Sequence, residues 1–104
     1  MVVGAIGKIQ EAGGYWFGTQ ADQAPFAPDT VVASQVYKWD VVLKEMIELR
    51  SAGTLGGQSF VINLANGGEV MVFNPDLEIP EEVKTAAEEA IQGIIDGTIT
   101  IELP

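Results

Sequence analysis

Few side chains in this sequence could make or break a covalent bond. Its 104 residues include no Cys and no His. Without a thiolate or an imidazole there is no Ser-His-Asp or Cys-His nucleophile, no thiol redox pair, and none of the usual zinc or haem ligation. Carboxylates remain, as 15 Asp and Glu residues. The pairs Glu81-Glu82 and Glu88-Glu89 fall on a helix whose apolar face lies elsewhere, and exposed acids with no cavity between them cannot flank a substrate bond. Gly4-Ala5-Ile6-Gly7 and Gly56-Gly57 fit neither a phosphate-cradling loop nor a dinucleotide fingerprint. The chemistry on offer is binding without catalysis, with no metal and no cofactor expected.

What could bind is concentrated in one stretch. Six of the eight aromatic residues, Tyr15, Trp16, Phe17, Phe26, Tyr37 and Trp39, lie between positions 15 and 39. Strand ends fall there too, and open α/β sheets collect ligands beyond the carboxyl ends of their strands. That directs attention to the segment 18–28 and to the junction Ser34–Tyr37, where a helix start also offers free N–H groups. The same side chains have plain structural uses. Trp39 sits on an apolar helical stripe and Tyr15 to Phe17 form a short apolar run, so the core is their expected place. Asp22 suits a turn cap through its own backbone or a ligand contact. Tyr37 lies off the stripe at the expected helix start, free to face a ligand, and Gln20 has the same freedom.

The elements that must position these residues read as alternating helices and strands. Ala5, Ile6, Ile9 and Ala12 recur at helical spacing until Gly13-Gly14. Tyr15-Trp16-Phe17 predicts a short buried strand, residues 19–29 with Pro25 and Pro28 a loop, and Val31–Val36 a second strand. Val36, Trp39, Val42, Leu43, Met46 and Ile47 then mark one face of a helix ending before Gly53. Phe60–Leu64 and Val70–Phe73 flank Asn66-Gly67-Gly68, which predicts an antiparallel hairpin. Pro80, Glu81 and Glu82 open a helix that runs to Gly97, and Thr98–Leu103 alternates at period two like a half-buried terminal strand. The pattern is that of an α/β layer fold in one domain.

Charge excludes further partners. Five Lys and Arg against 15 acids give a formal charge of -10, which repels nucleic acid and anionic membrane surfaces. At 47% hydrophobic and 19% charged the chain is globular in composition. No run approaches the roughly 18 apolar residues of a membrane span, and the first residues have no basic region followed by an apolar core.

Several short signatures occur in a fixed order. They are Gly4-Ala5-Ile6, Gly18-Thr19-Gln20-Ala21-Asp22-Gln23 over the pattern G-x-D-x-D-Q, and Ala27-Pro28-Asp29 before a strand. Ser34-Gln35-Val36-Tyr37-Lys38-Trp39-Asp40 follows over S-x-x-K-x-W-D, then Asn66-Gly67-Gly68, Phe73-Asn74, Pro80-Glu81-Glu82-Val83 and Ile94-Ile95-Asp96-Gly97-Thr98-Ile99. In these, along essentially its whole length, the chain resembles the C-terminal part of the basic membrane protein family, also called PnrA-like. Members are substrate-binding lipoproteins of ABC transporters with the type I periplasmic-binding-protein fold.

The resemblance implies that residues 1–104 are the C-terminal segment of a substrate-binding domain. The fold would be a partial lobe with a mostly parallel sheet flanked by helices and an antiparallel hairpin. It implies a purine nucleoside or a related polar ligand, contacted by Gln20, Asp22 and Tyr37, supported by Ser34 and Gln23, with Phe26 as an apolar wall. In the complete receptor the further partner would be an ABC permease, and the place the cell envelope, periplasmic or membrane-anchored. No signal peptide or lipid-anchor cysteine is present in the sequence itself. Two positions differ from the family. Gln20 stands where it has an Asp that holds ribose hydroxyls, and Tyr37 where it has the Lys that assists. Amide and phenol still bond a hydroxyl, but without charge assistance. With the first lobe and early strands expected to be missing, an open sheet edge is expected to pair with a second copy, giving a homodimer. The alternative is a self-associating structural or regulatory interaction domain derived from such a receptor.

Overall fold

β-branched residues dominate the stretch Val31–Tyr37, and it forms the middle strand of a three-stranded sheet. The computed structural model describes residues 2–102. In chain order they form α1 (Val2–Glu11), β1 (Trp16–Gln20), a 3₁₀ turn (Ala24–Phe26), β2 (Val31–Tyr37), α2 (Trp39–Ser51), β3 (Glu69–Phe73) and α3 (Glu81–Ile95). β1 runs parallel to β2, with Gly18 opposite Ser34 and Gln20 opposite Val36. β3 runs antiparallel on the other side, with Gln35 opposite Met71 and Tyr37 opposite Glu69. The protein is thus a small α/β domain with a mixed sheet and three helices.

All three helices end by the same device. Gly13, Gly53 and Gly97 take positive φ, and the next residue donates back across the turn, Gly14 to Ile9, Thr54 to Leu49 and Thr98 to Gly93, at 2.9–3.0 Å. Final carbonyls that would be orphaned are satisfied this way, and a residue without Cβ meets no steric penalty there. Pro80 precedes α3 and Glu81 and Glu82 fill its first turn, as the sequence predicts.

Ile6 of α1, Ala24, Ala27 and Val31 form the buried cluster, with Trp16 packed against it. Asn74 closes the far end of the sheet. Its Nδ2 donates to the carbonyls of Pro28 (2.7 Å) and Val31 (2.6 Å), and its Oδ1 accepts from Asp76 N–H (2.9 Å). One amide side chain therefore ties the end of β3 to the start of β2.

Several expectations are corrected. Phe60–Leu64 is not a strand. The Asn63 and Asn66 side chains accept each other's backbone N–H groups at 3.0 and 2.8 Å, and Asn66 Nδ2 donates to Val61 O. Those local bonds occupy groups that a hairpin ladder would need, so the segment meets β3 through Glu69 N–H to Asn63 O (3.1 Å) and β3 pairs as a strand with β2. Residues 98–102 are likewise not a strand, since Thr98 and Ile99 both donate to Gly93 O in closing α3; Leu103 lies outside the described residues. The sheet is mixed rather than mostly parallel. Tyr37 ends β2 instead of starting a helix. Tyr15, Phe17 and Trp39 are 70%, 65% and 57% exposed, not core.

Those exposures belong to an open shape. The radius of gyration is 17.1 Å, where a compact chain of this length has about 13 Å. The accessible surface is 7567 Å², against about 5,700 Å² expected for a compact monomer of 11.1 kDa. Apolar faces exist for which this chain supplies no cover.

Replacing Asn74 by Ala removes a buried amide that satisfies two carbonyls. Its expected cost is about 2 kcal/mol, read in urea unfolding as a lower midpoint at unchanged slope. Glu88→Gln on exposed α3 should stay within about 0.5 kcal/mol.

Candidate functional site

The loop joining β1 to β2 is held by one glutamine. Gln23 is buried, and its side chain is used at both ends: Oε1 accepts from Trp16 Nε1 at 2.7 Å and Nε2 donates to Thr19 O at 2.9 Å. Its backbone N–H donates to the buried Ser34 Oγ at 3.0 Å. A loop carries backbone groups that must find partners when buried, and here a single residue bridges β1, its own loop and β2.

That arrangement requires a bare position at Gly18. A Cβ there would lie 2.6 Å from Ser34 Oγ and 2.9 Å from Gln23 Oε1, distances that nonbonded carbon does not tolerate. Only glycine lets the amide reach across the strand.

The six residues nominated from sequence divide accordingly. Gln23 and Ser34 come together in the lock. Asp22 caps the loop, its Oδ1 accepting from Ala24 N–H at 3.0 Å, and remains exposed. Gln20 is exposed at the end of β1 with φ of 76°, the only non-glycine among the described residues in that region. Such a conformation costs roughly 1–2 kcal/mol and turns the chain sharply out of the strand. Tyr37 is half-buried at the end of β2, one register step beyond Val36, the partner of Gln20. Gln20 and Tyr37 therefore occupy adjacent strand ends. Phe26 is exposed on the 3₁₀ turn, further along the loop.

A polar row beside them was not nominated. Thr19 Oγ1 donates to Gln35 Oε1 at 2.8 Å, and Gln35 Nε2 donates to the Glu69 carboxylate, so one chain of bonds crosses all three strands. Tyr37 pairs in register with Glu69 and meets the Trp39 ring edge-on, with centroids 5.7 Å apart. The signal available in sequence was polar Thr19 and Gln35 inside otherwise apolar strands. Together these groups place amides, a phenol and carboxylates along one end of the sheet, a set suited to hydroxyl-bearing guests.

Hollows of about 250, 290 and 330 Å³ lie elsewhere, the first beside the end of α2 and the others at the approach to α3, and none is lined by the six residues. Among the described residues no cluster of carboxylates is arranged to hold a metal ion, and no helix is long and apolar enough to cross a membrane. Compared with known proteins, the sequence matches no protein-family model and no curated protein.

Gly18→Ala is expected to push the Gln23 amide off Trp16 and Thr19, at a cost of about 1–3 kcal/mol. Ser34→Ala should cost about 1 kcal/mol by orphaning the Gln23 N–H. Thermal unfolding of both, with Trp16 emission as a probe of the broken bond, is the measurement; unchanged melting in Gly18→Ala would contradict the lock.

Proposed function

We propose that this chain is one wall of a non-catalytic receptor for a small polar ligand. Specifically, it is the C-terminal part of an ABC-transporter substrate-binding lobe of the basic membrane protein kind, with a purine nucleoside as the ligand class. The observation that carries the reading is the division of labour in Gly18–Gln23. Gln23 is consumed in holding the loop, while Gln20 at the carboxyl end of β1 and Asp22 in the loop that follows stay exposed, and Tyr37 ends the parallel strand β2. Ligands of open α/β sheets gather at such ends, and a left-handed non-glycine residue at Gln20 is the kind of strain that persists at binding sites.

In this reading Gln20 and Tyr37 bond sugar hydroxyls, Asp22 accepts from a hydroxyl or ring N–H, and Phe26 covers an apolar face of the base. Gln23 and Ser34 fix the loop that carries these groups. A second lobe would close over the guest and strip its water, and closure would present the loaded form to a permease at the cell envelope. One wall leaves the ligand solvated, so binding by this chain alone is weak. The alternative of a self-associating interaction domain draws on the surplus of exposed surface.

Titration with adenosine, inosine, guanosine and a pyrimidine control, followed by melting temperature, tests the receptor reading. A saturable rise with a purine nucleoside in the millimolar range is expected, its midpoint raised about tenfold by Gln20→Ala or Tyr37→Phe, equivalent to one lost hydrogen bond. No rise with any nucleoside overturns it.

A further inference from the structure

Helix α2 is apolar over a wider arc than the chain covers. At about 100° per residue, Leu49, Val42, Met46, Trp39, Leu43 and Ile47 sweep roughly 160° of its circumference. Val42 is buried and Leu49 half-buried, but Trp39, Leu43, Met46 and Ile47 are all exposed. The outer half of the arc forms a stripe nine residues long from Trp39 to Ile47.

Charge singles out this face. Residues 38–50 hold Lys38, Lys44 and Arg50 against Asp40, Glu45 and Glu48 and are neutral. The rest of the chain has 5 − 3 = 2 basic and 15 − 3 = 12 acidic residues and carries the whole charge of -10. Two copies approaching by other faces repel one another; by α2 they do not.

Shape supplies an anchor site. The hollow of about 250 Å³ at the end of α2 is lined by Met46, Leu49, Arg50, Leu55 and Phe60 among others. It is smaller than the roughly 300 Å³ lower bound for drug-sized ligands and suits one large side chain.

We propose that two copies of this chain associate by packing α2 against α2 in antiparallel fashion about a two-fold axis at Leu43. Symmetry about that position sets Trp39 of each copy beside Ile47 of the other and at the hollow, where Arg50 can stack on the indole. Exposed surface is in surplus. The chain exposes about 1,900 Å² more than a compact monomer would, and a standard interface removes about 800 Å² per partner. This places self-association on α2 instead of the open edge of β1, which offers only five residues, and it stands independently of any nucleoside.

The test is sedimentation equilibrium of the purified chain at about 50 µM, a concentration above the micromolar Kd of modest interfaces. A species of 22.2 kDa, twice the 11.1 kDa chain, is expected. Leu43→Glu and Trp39→Ala, both at exposed positions, should each weaken it at least 100-fold with unchanged circular dichroism. Because the chain has no cysteine, Leu43→Cys reports directly, and rapid disulfide cross-linking at the axis on mild oxidation is expected. A monomer at 50 µM, or a dimer that ignores Leu43→Glu and fails to cross-link through Leu43→Cys, overturns the proposal.

Discussion

A missing side chain at Gly18 is the constraint on which the strand-end surface depends. Because nothing projects there, the Gln23 amide can lie across β1 and reach both Trp16 Nε1 and Thr19 O, while its own N–H reaches Ser34 on β2. Parallel strands are usually joined through a crossover of a dozen residues or more, often a helix. Here residues 21–30 make the connection with a single 3₁₀ turn. A loop that short on helix and that rich in backbone polar groups stays put only if its interior groups are bonded. Gln23 and Asp22 do this from within the loop, Ser34 from the strand below, and Asn74 by bonding Pro28 O from the end of β3. Gln20, next to the lock but outside it, is turned outward by its backbone.

How far the fold was legible depends on whether a signal was local. The ends of all three helices and the start of α3 were readable because their causes sit within a few residues: Gly13, Gly53 and Gly97 at the ends, Pro80 and the following acids at the start, whereas the start of α2 was placed too early. β2 was readable from its β-branched run. The predicted hairpin failed for an equally local reason that pattern matching overlooks. Asn63 and Asn66 bond each other's backbone, so the apolar residues before the turn never enter a ladder. Trp39, Tyr15 and Phe17 fail differently. Periodicity says which face of an element is apolar, but whether anything covers that face depends on elements that must be present elsewhere.

The site was half legible. The order of polar residues in 18–23 marked the loop, and the open choice for Asp22 between turn cap and contact resolves to a cap that leaves the carboxylate exposed. Sequence could not tell that Gln23 and Ser34 spend their bonding capacity inside the protein, because that follows from the register setting Gly18 opposite Ser34. Nor could it show Thr19, Gln35 and Glu69 linked across three strands, since Glu69 arrives from a strand distant in sequence. Position 20 carries an amide and no charge. A carboxylate from β3 stands beside Tyr37.

The strand-end surface and the α2 stripe meet at the edge-on pair of Tyr37 and Trp39. Tyr37 belongs to the strand end and Trp39 to the first turn of α2, with only Lys38 between them, and the Lys38 N–H is fixed by the Gly68 carbonyl at 2.7 Å. That bond ties the corner to the turn before β3, so the change from strand to helix takes place at a residue held from outside both elements. The strand-end residues and the apolar face of α2 are thus joined by one aromatic pair next to a bonded corner, so a substitution at Tyr37 or Trp39 acts on both surfaces.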